Sequence, residues 1–304
     1  MATHIRNIQF WRSKPSRTLP NSIVVITGAG SGIGQNVAYI YAQRYVNLVL
    51  VDINTDSLNA TKLSCVEYGA RSVLCVPCDV TQYKQCQNVL EQIELQHQTK
   101  SIDILILCAG INSHHLFSRT TDLAVYHKLM NINFYGYLYM THIFYNSLCH
   151  TNGILIAITS FSGEVGLPYR TAYCASKFAI TGFLESLRAE MSYIDNDSTQ
   201  NSNTNSNDTI NKPVKQQKFD ICIICPPTVD TQLRHNSLKV DPLITESEPS
   251  KYSMTVQQCA LAIVDAGDRR LRKAFFPATS FFANYLRPLL PDQIDKLIMK
   301  RAKL

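Results

Sequence analysis

At 304 residues, with 45% apolar and 17% charged side chains, the chain can bury a sizeable core in one large domain or two small ones. A net charge of +6 is mild, and no nucleic-acid motif accompanies it. No run of 18 apolar residues exists, so no transmembrane helix is predicted.

Residues 1–20 read as an N-terminal arm without the continuous apolar stretch of a signal peptide. Short β-branched runs then alternate with longer amphipathic segments. Strands are predicted at 22–27, 47–52, 71–77, 102–108, 153–159, 219–225 and 274–277. Helices are predicted near 33–45, 55–68, 81–97, 122–148, 171–193 and 255–268. This alternation predicts an α/β fold of right-handed βαβ units, a parallel sheet with helices on both faces. The strands are almost wholly apolar, as a sheet covered on both sides requires.

The first strand runs into Thr27-Gly28-Ala29-Gly30-Ser31-Gly32-Ile33-Gly34 and then a helix. Glycines at this junction let the backbone turn tightly and approach a pyrophosphate at the helix N-terminus. The spacing is G-x-x-x-G-x-G, from Gly28, Gly32 and Gly34, rather than G-x-G-x-x-G. Asp52 ends the second strand, twenty residues after Gly32. A carboxylate there can accept hydrogen bonds from ribose hydroxyls and repels a 2′-phosphate, which predicts NAD rather than NADP.

Ten cysteines include two C-x-x-C pairs, Cys75/Cys78 and Cys222/Cys225, in or beside β-type runs. Strand residues alternate faces, so neither pair is placed to share a metal. The thiols read as small core residues in a reducing compartment, and no metal is expected.

Ser160 precedes Tyr173 by thirteen residues, and Lys177 follows it by four. On a helix, i and i+4 share a face. A lysine there is expected to favour the phenolate and lower a tyrosine pKa that is otherwise about 10. A serine hydroxyl aimed at the same point can hold a substrate oxygen. Together the three groups suit proton-coupled hydride transfer at an alcohol or ketone.

The segment 195–217, rich in Asn, Ser, Thr and Asp, is predicted to be a disordered surface insert away from the chemistry. Residues 231–254 are expected to include the substrate loop. The basic clusters Arg269, Arg270, Arg272, Lys273 and Lys296, Lys300, Arg301, Lys303 read as solvated helical surface, with weak attraction to an anionic membrane as the other reading. Residues 275–304 read as a C-terminal helical extension. Its Phe275, Phe276, Phe281, Phe282, Tyr285 and Leu286 are expected to pack on the body, or else to wall a hydrophobic pocket. The final Ala302-Lys303-Leu304 differs by one small residue from a peroxisomal address, so a cytoplasmic or peroxisomal location is expected.

These motifs, in this order over about residues 21–268, resemble those of the short-chain dehydrogenase/reductase family. The resemblance implies a doubly wound (Rossmann), mostly parallel seven-stranded sheet. It also assigns roles. TGAGSGIG resembles the cofactor turn, with Ser31 and Ile33 beside the pyrophosphate, and Asp79-Val80 the adenine contact. Cys108-Ala109-Gly110 stands where the family has Asn-Ala-Gly. Asn133 matches a helix asparagine that positions a water linked to the lysine. Ser160, Tyr173 and Lys177 match the catalytic serine, tyrosine and lysine, the last two also touching cofactor. In CPPTVDT (225–231), Pro226 and Thr231 match cofactor contacts, and Pro227 replaces a glycine. Within the family the likeness is greatest to hydroxysteroid (17-beta type) and retinol dehydrogenases. It implies a hydrophobic alcohol or ketone substrate and a homodimer or homotetramer, with peripheral membrane contact as a further option. Two other readings stay open: a ketoreductase of a long-chain keto-lipid using NADPH, and a catalytically weak nucleotide-binding regulatory protein.

Overall fold

A computed structural model describes residues 20–200, 218–231, 237–239, 253–276 and 279–302. Strands β1 (Ile23–Thr27), β2 (Asn47–Asp52), β3 (Ser72–Pro77) and β4 (Ile104–Leu107) alternate with helices α1 (Gly32–Ala42), α2 (Thr55–Glu67) and α3 (Tyr83–His97). After β4 come a two-residue strand β5 (Ser113–His114), α4 (Ala124–Leu129), a π-helical segment Met130–Tyr135, α5 (Gly136–Thr151), β6 (Ile154–Ile158) and α6 (Thr171–Gln200). The chain ends with β7 (Asp220–Cys225), a second two-residue strand β8 (Leu238–Lys239), α7 (Val256–Asp268), β9 (Lys273–Phe275), α8 (Thr279–Leu286) and α9 (Pro291–Ala302).

Seven strands form one sheet in the order β3-β2-β1-β4-β6-β7-β9, and every pairing is parallel. This is the doubly wound α/β architecture. Its order reverses between β1 and β4, and ligands bind beyond the strand C-termini at such a switch point. Side chains alternate between two cores. Val24, Ile26, Leu48, Leu50, Ile156 and Ile224 pack against α1 and α7. Val25, Val49, Val51, Leu105, Leu155 and Ile223 pack against α3, α5 and α6. Cys222 belongs to the first core and Cys225 to the second, so that C-x-x-C pair straddles the sheet. No cluster of His, Cys, Asp or Glu suited to a metal exists among the described residues. No described helix is long and apolar enough to cross a membrane.

Three expectations are corrected. The single helix at 122–148 is three pieces, because a π-bulge interrupts it at Met130–Tyr135. Helix α6 runs to Gln200, six residues into the polar segment, since each residue added to an existing helix gains a backbone hydrogen bond; residues 201–217 lie outside the described residues. The basic cluster at 269–273 is not a uniformly solvated face. Arg270, only 8% exposed, pairs with Asp220 at 2.5 Å, and Lys273 lies 2.9 Å from Glu164 and 2.6 Å from Glu185. The β5–β8 pair joins the segment after β4 to that after β7, a link no sequence pattern signalled. Phe275 and Phe276 are buried, whereas Phe282 and Tyr285 are exposed. Of the C-terminal tripeptide, Lys303 and Leu304 lie outside the described residues.

Candidate active site

The C-terminal ends of β1 and β4 are knotted together. Thr27 Oγ1 accepts from the Cys108 and Ala109 N–H groups, at 3.0 and 3.2 Å. Gly28 has φ +67°, and a Cβ on it would stand 2.8 Å from Ala109 N. A Cβ on Gly34 would fall 2.2 Å from the Gly28 carbonyl oxygen. Both positions therefore exclude any side chain, and the turn lies flat across the opening of α1, whose N-cap is Ser31. Asp52 reaches the same turn from β2. Its carboxylate accepts from Gly30 N–H at 2.9 Å and Asn54 N–H at 3.0 Å. Asn54 caps α2, its side chain accepting from Ser57 N–H. From the opposite side, the Thr231 side chain lies 3.6 Å from where a Gly32 Cβ would sit. Asp52 and Thr231 thus gather around one turn at the switch point, which carries Gly28, Ser31, Gly32, Ile33 and Gly34.

At the end of β3, Asp79 Oδ1 accepts from Thr81 N–H and hydroxyl, at 2.9 and 2.8 Å, and Val80 is buried. Val80 packs so closely on Gly136 that a Cβ there would meet Val80 Cγ2 at 2.8 Å.

Asn133 sits fully buried inside the π-bulge. Its Oδ1 accepts from Ile111 N–H at 2.8 Å, and its Nδ2 donates to the Ile111 carbonyl and Ser176 Oγ, both at 3.0 Å. The side chain clamps the strand past Gly110, as a single-turn π-bulge beside a site commonly does. These side-chain contacts hold the backbone of Ile111 and tie it to α6. A Cβ on Gly110 would stand 3.1 Å from Asn133 Oδ1 and 3.8 Å from Lys177 Nζ, which puts the three residues together.

Lys177 is 4% exposed and donates from Nζ to the Ile158 carbonyl at 3.0 Å. Tyr137 donates its hydroxyl to the same carbonyl at 2.8 Å. Burial lowers the Lys177 pKa from 10.5 to about 8, opposed by the nearby Cys108 and Cys225 thiols. The Cys108 thiol, enclosed between Gly34 N–H and Lys177, is itself pushed up to about 12 by burial.

Tyr173 lies one turn before Lys177 on α6, 7% exposed, packed with Val125, Leu129, Ala172, Ile111, Tyr126 and Leu238. Here the electrostatics differ from the expectation. Burial raises the Tyr173 pKa, and the groups that oppose it are Arg170 and a hydrogen bond from Ser160. Lys177 Nζ is 5.8 Å from the Tyr173 ring centre and is bonded elsewhere, while the Arg170 guanidinium is 6.0 Å from that ring. The sequence reading missed Arg170; its position three residues before Tyr173 was the available signal. Ser160 extends from the end of β6 and accepts from Ser162 N–H at 3.1 Å, while Phe161 N–H donates to the Pro226 carbonyl at 3.0 Å. Ser160, Tyr173 and Lys177 therefore converge beside the glycine turn, with Pro226 behind them.

A family model described as short chain dehydrogenase matches residues 22–195, more than half of the chain. The chain belongs to the short-chain dehydrogenase family. It is an oxidoreductase of CH–OH groups, and the fold binds a nicotinamide cofactor. One relative, a dehydrogenase/reductase SDR family protein 7-like from Dictyostelium discoideum, is 30% identical over 96% of this chain and 85% of its own. An 11-beta-hydroxysteroid dehydrogenase of Pinus massoniana is 34% identical over 91% and 73%. A hydroxysteroid 11-beta-dehydrogenase 1-like protein of Xenopus tropicalis is 30% identical over 93% and 88%. Two solved short-chain dehydrogenases share the fold: one from Burkholderia phymatum with NAD (TM-score 0.69, 20% identical, 89% and 95% covered), and one from Burkholderia cenocepacia with NADP (0.68, 19%, 91% and 97%).

The residues of this short-chain dehydrogenase fit a dinucleotide. The glycine turn leaves the space that any Cβ would fill, and it lies at the N-terminus of α1. Tyr173 shares a hydrophobic cluster with Tyr126, Ile111 and Leu238, the last carried by β8. Residues 229 and 254 form a bridge, so the expected substrate loop leaves and returns at one point; residues 232–236 and 240–252 of it lie outside the described residues.

Proposed function

We propose that the protein is an NAD-dependent dehydrogenase of a hydrophobic secondary alcohol, steroid-, retinoid- or fatty-lipid-like, with Tyr173 as acid and base. The observation that carries this reading is the convergence of Ser160, Tyr173 and Lys177 beside a glycine turn that excludes side chains. Ser160 orients the substrate oxygen. Tyr173, as phenolate, takes the hydroxyl proton as the C–H bond yields its hydride. A bound nicotinamide supplies the hydride acceptor. Lys177 and Asp52 hold the two riboses, and Thr231 closes over the turn. Arg170 assists ionisation of Tyr173. Support for NAD over NADP comes from Asp52, whose carboxylate faces the turn. Support for a lipid-like alcohol comes from the apolar frame of Tyr173 and from hydroxysteroid dehydrogenases among the relatives.

The test is a cofactor-coupled screen of hydroxy-lipids with NAD and with NADP, on wild type and Tyr173→Phe. Turnover with NAD is expected, falling at least ~100-fold in the variant while NAD binding persists. A variant as active as wild type overturns the role of Tyr173. A strong NADP preference overturns the reading of Asp52 in favour of the ketoreductase alternative. NAD binding without turnover of any alcohol favours a regulatory protein.

A further inference from the structure

Between β3 and α3 the chain holds two thiols in contact. Cys78 Sγ and Cys86 Sγ are 4.0 Å apart, both free, 3% and 0% exposed. Cys78 immediately precedes Asp79-Val80, and Cys86 stands in the first turn of α3. The loop joining them is drawn tight from both ends: Asp79 N–H donates to Gln85 Oε1 at 2.8 Å, and Gln82 N–H to the Asp79 carbonyl at 2.9 Å. The Cys86 thiol donates to the Val80 carbonyl at 3.5 Å. Val80 in turn has no slack against the start of α5. The two C-x-x-C pairs, Cys75/Cys78 and Cys222/Cys225, each face opposite sides of the sheet and cannot do what this pair can.

We propose that Cys78 and Cys86 form a peroxide-oxidisable dithiol whose disulfide weakens dinucleotide binding, a regulation that rests on Asp79-Val80 contacting the cofactor. Cys78 Sγ donates to Cys86 Sγ, and loss of that proton leaves the Cys78 thiolate as the attacking sulfur. The Cys78 thiolate attacks one oxygen of hydrogen peroxide. An S–O bond forms, the O–O bond breaks, and the departing hydroxide takes up the released proton as water. Cys86 then attacks the sulfenic sulfur; the S–S bond forms, the S–O bond breaks, and a second water leaves. Two thiols lose two electrons and two protons, and one peroxide becomes two waters. A disulfide holds its sulfurs about 2.05 Å apart, so the pair must close by about 2 Å from van der Waals contact. That movement takes the Cys86 thiol from the Val80 carbonyl and draws the first turn of α3 against Asp79-Val80. Burial keeps bulky disulfides away from the pair, whereas peroxide is small enough to enter on local opening.

The experiment uses the full-length protein. NADH affinity is measured by its fluorescence in the reduced state, after titration with hydrogen peroxide, and after re-reduction with dithiothreitol. Alkylation and peptide mass mapping locate any disulfide. The expected result is a Cys78–Cys86 disulfide, a rise in the NADH Kd of about tenfold, recovery on reduction, and unchanged affinity for peroxide-treated Cys86→Ser. Should Cys86→Ser fold poorly, the wild-type mass map and its reversal by dithiothreitol decide the matter alone. No intramolecular disulfide between these two positions, or a disulfide with unchanged NADH affinity, overturns the proposal. Failure of the reduced protein to bind NADH is a failure of the cofactor reading, seen before peroxide is added, and it overturns the regulatory proposal with it.

Discussion

Lys177 is a cation in a place that disfavours cations. Its pKa falls from 10.5 to about 8 because burial removes water that one carbonyl does not replace. The unfolded chain therefore binds more protons between pH 8 and 10.5, and the lysine's share of stability rises with pH across that window. Lys177→Met is expected to raise stability at pH 7 by roughly 1–3 kcal/mol, since Tyr137 still serves the Ile158 carbonyl, while turnover is lost. The gain should shrink between pH 8 and 10.5, and urea melts at the two ends of that range check it. Arg170 belongs to the same scale. Because it opposes the burial that raises the Tyr173 pKa, Arg170→Gln should move the tyrosine-dependent limb of the kcat/KM profile to higher pH. A profile identical to wild type would assign Arg170 no part in the proton transfer. That Tyr173 and Lys177 share a face was legible in the sequence because i and i+4 lie one helical turn apart, whereas Asn133 was singled out by the family resemblance alone. Which cation acts on Tyr173 was not legible, because it depends on where each long side chain finds its hydrogen bonds.

At the scale of elements, the glycine turn and the π-bulge do the positioning. Gly34→Ala places a methyl carbon 2.2 Å from a backbone oxygen that has no room to retreat, so the turn must shift. Cofactor affinity should fall by about tenfold or more, measured as an NADH Kd, with a smaller loss of thermal stability. All seven strands of the main sheet were legible because each is a short apolar run between turn signals, a pattern set by the chain's own composition. The break in the 122–148 helix was not legible, because one widened turn of six residues is too short to displace the helical pattern of the whole run. Only the partners of Asn133, Ile111 across the site and Ser176 on α6, say why the helix widens there. The β5–β8 pair escaped for a related reason. Two residues carry no period, and their pairing joins segments more than a hundred residues apart.

For the molecule as a whole, the Ser160 loop is fastened to the far edge of the sheet. Glu164, 6% exposed, pairs with Lys273 on β9, which also reaches Glu185 on α6. Lys273→Met removes that cation from a buried carboxylate and should cost about 3 kcal/mol in thermal or urea unfolding, with activity falling as the loop loosens. A variant as stable as wild type would show that solvent satisfies the Glu164 carboxylate without this cation. The basic run at 269–273 looked like solvated surface in one dimension, since sequence records charge but not the carboxylates that meet it in space. By itself the sequence determined the α/β class and the membership of the short-chain dehydrogenase family, because these rest on local periodicity and on glycine and hydroxyl chemistry at fixed spacing. The tertiary structure alone decided which thiols touch, which cation faces Tyr173 and which charges are buried, because those depend on distances between elements that no local pattern encodes.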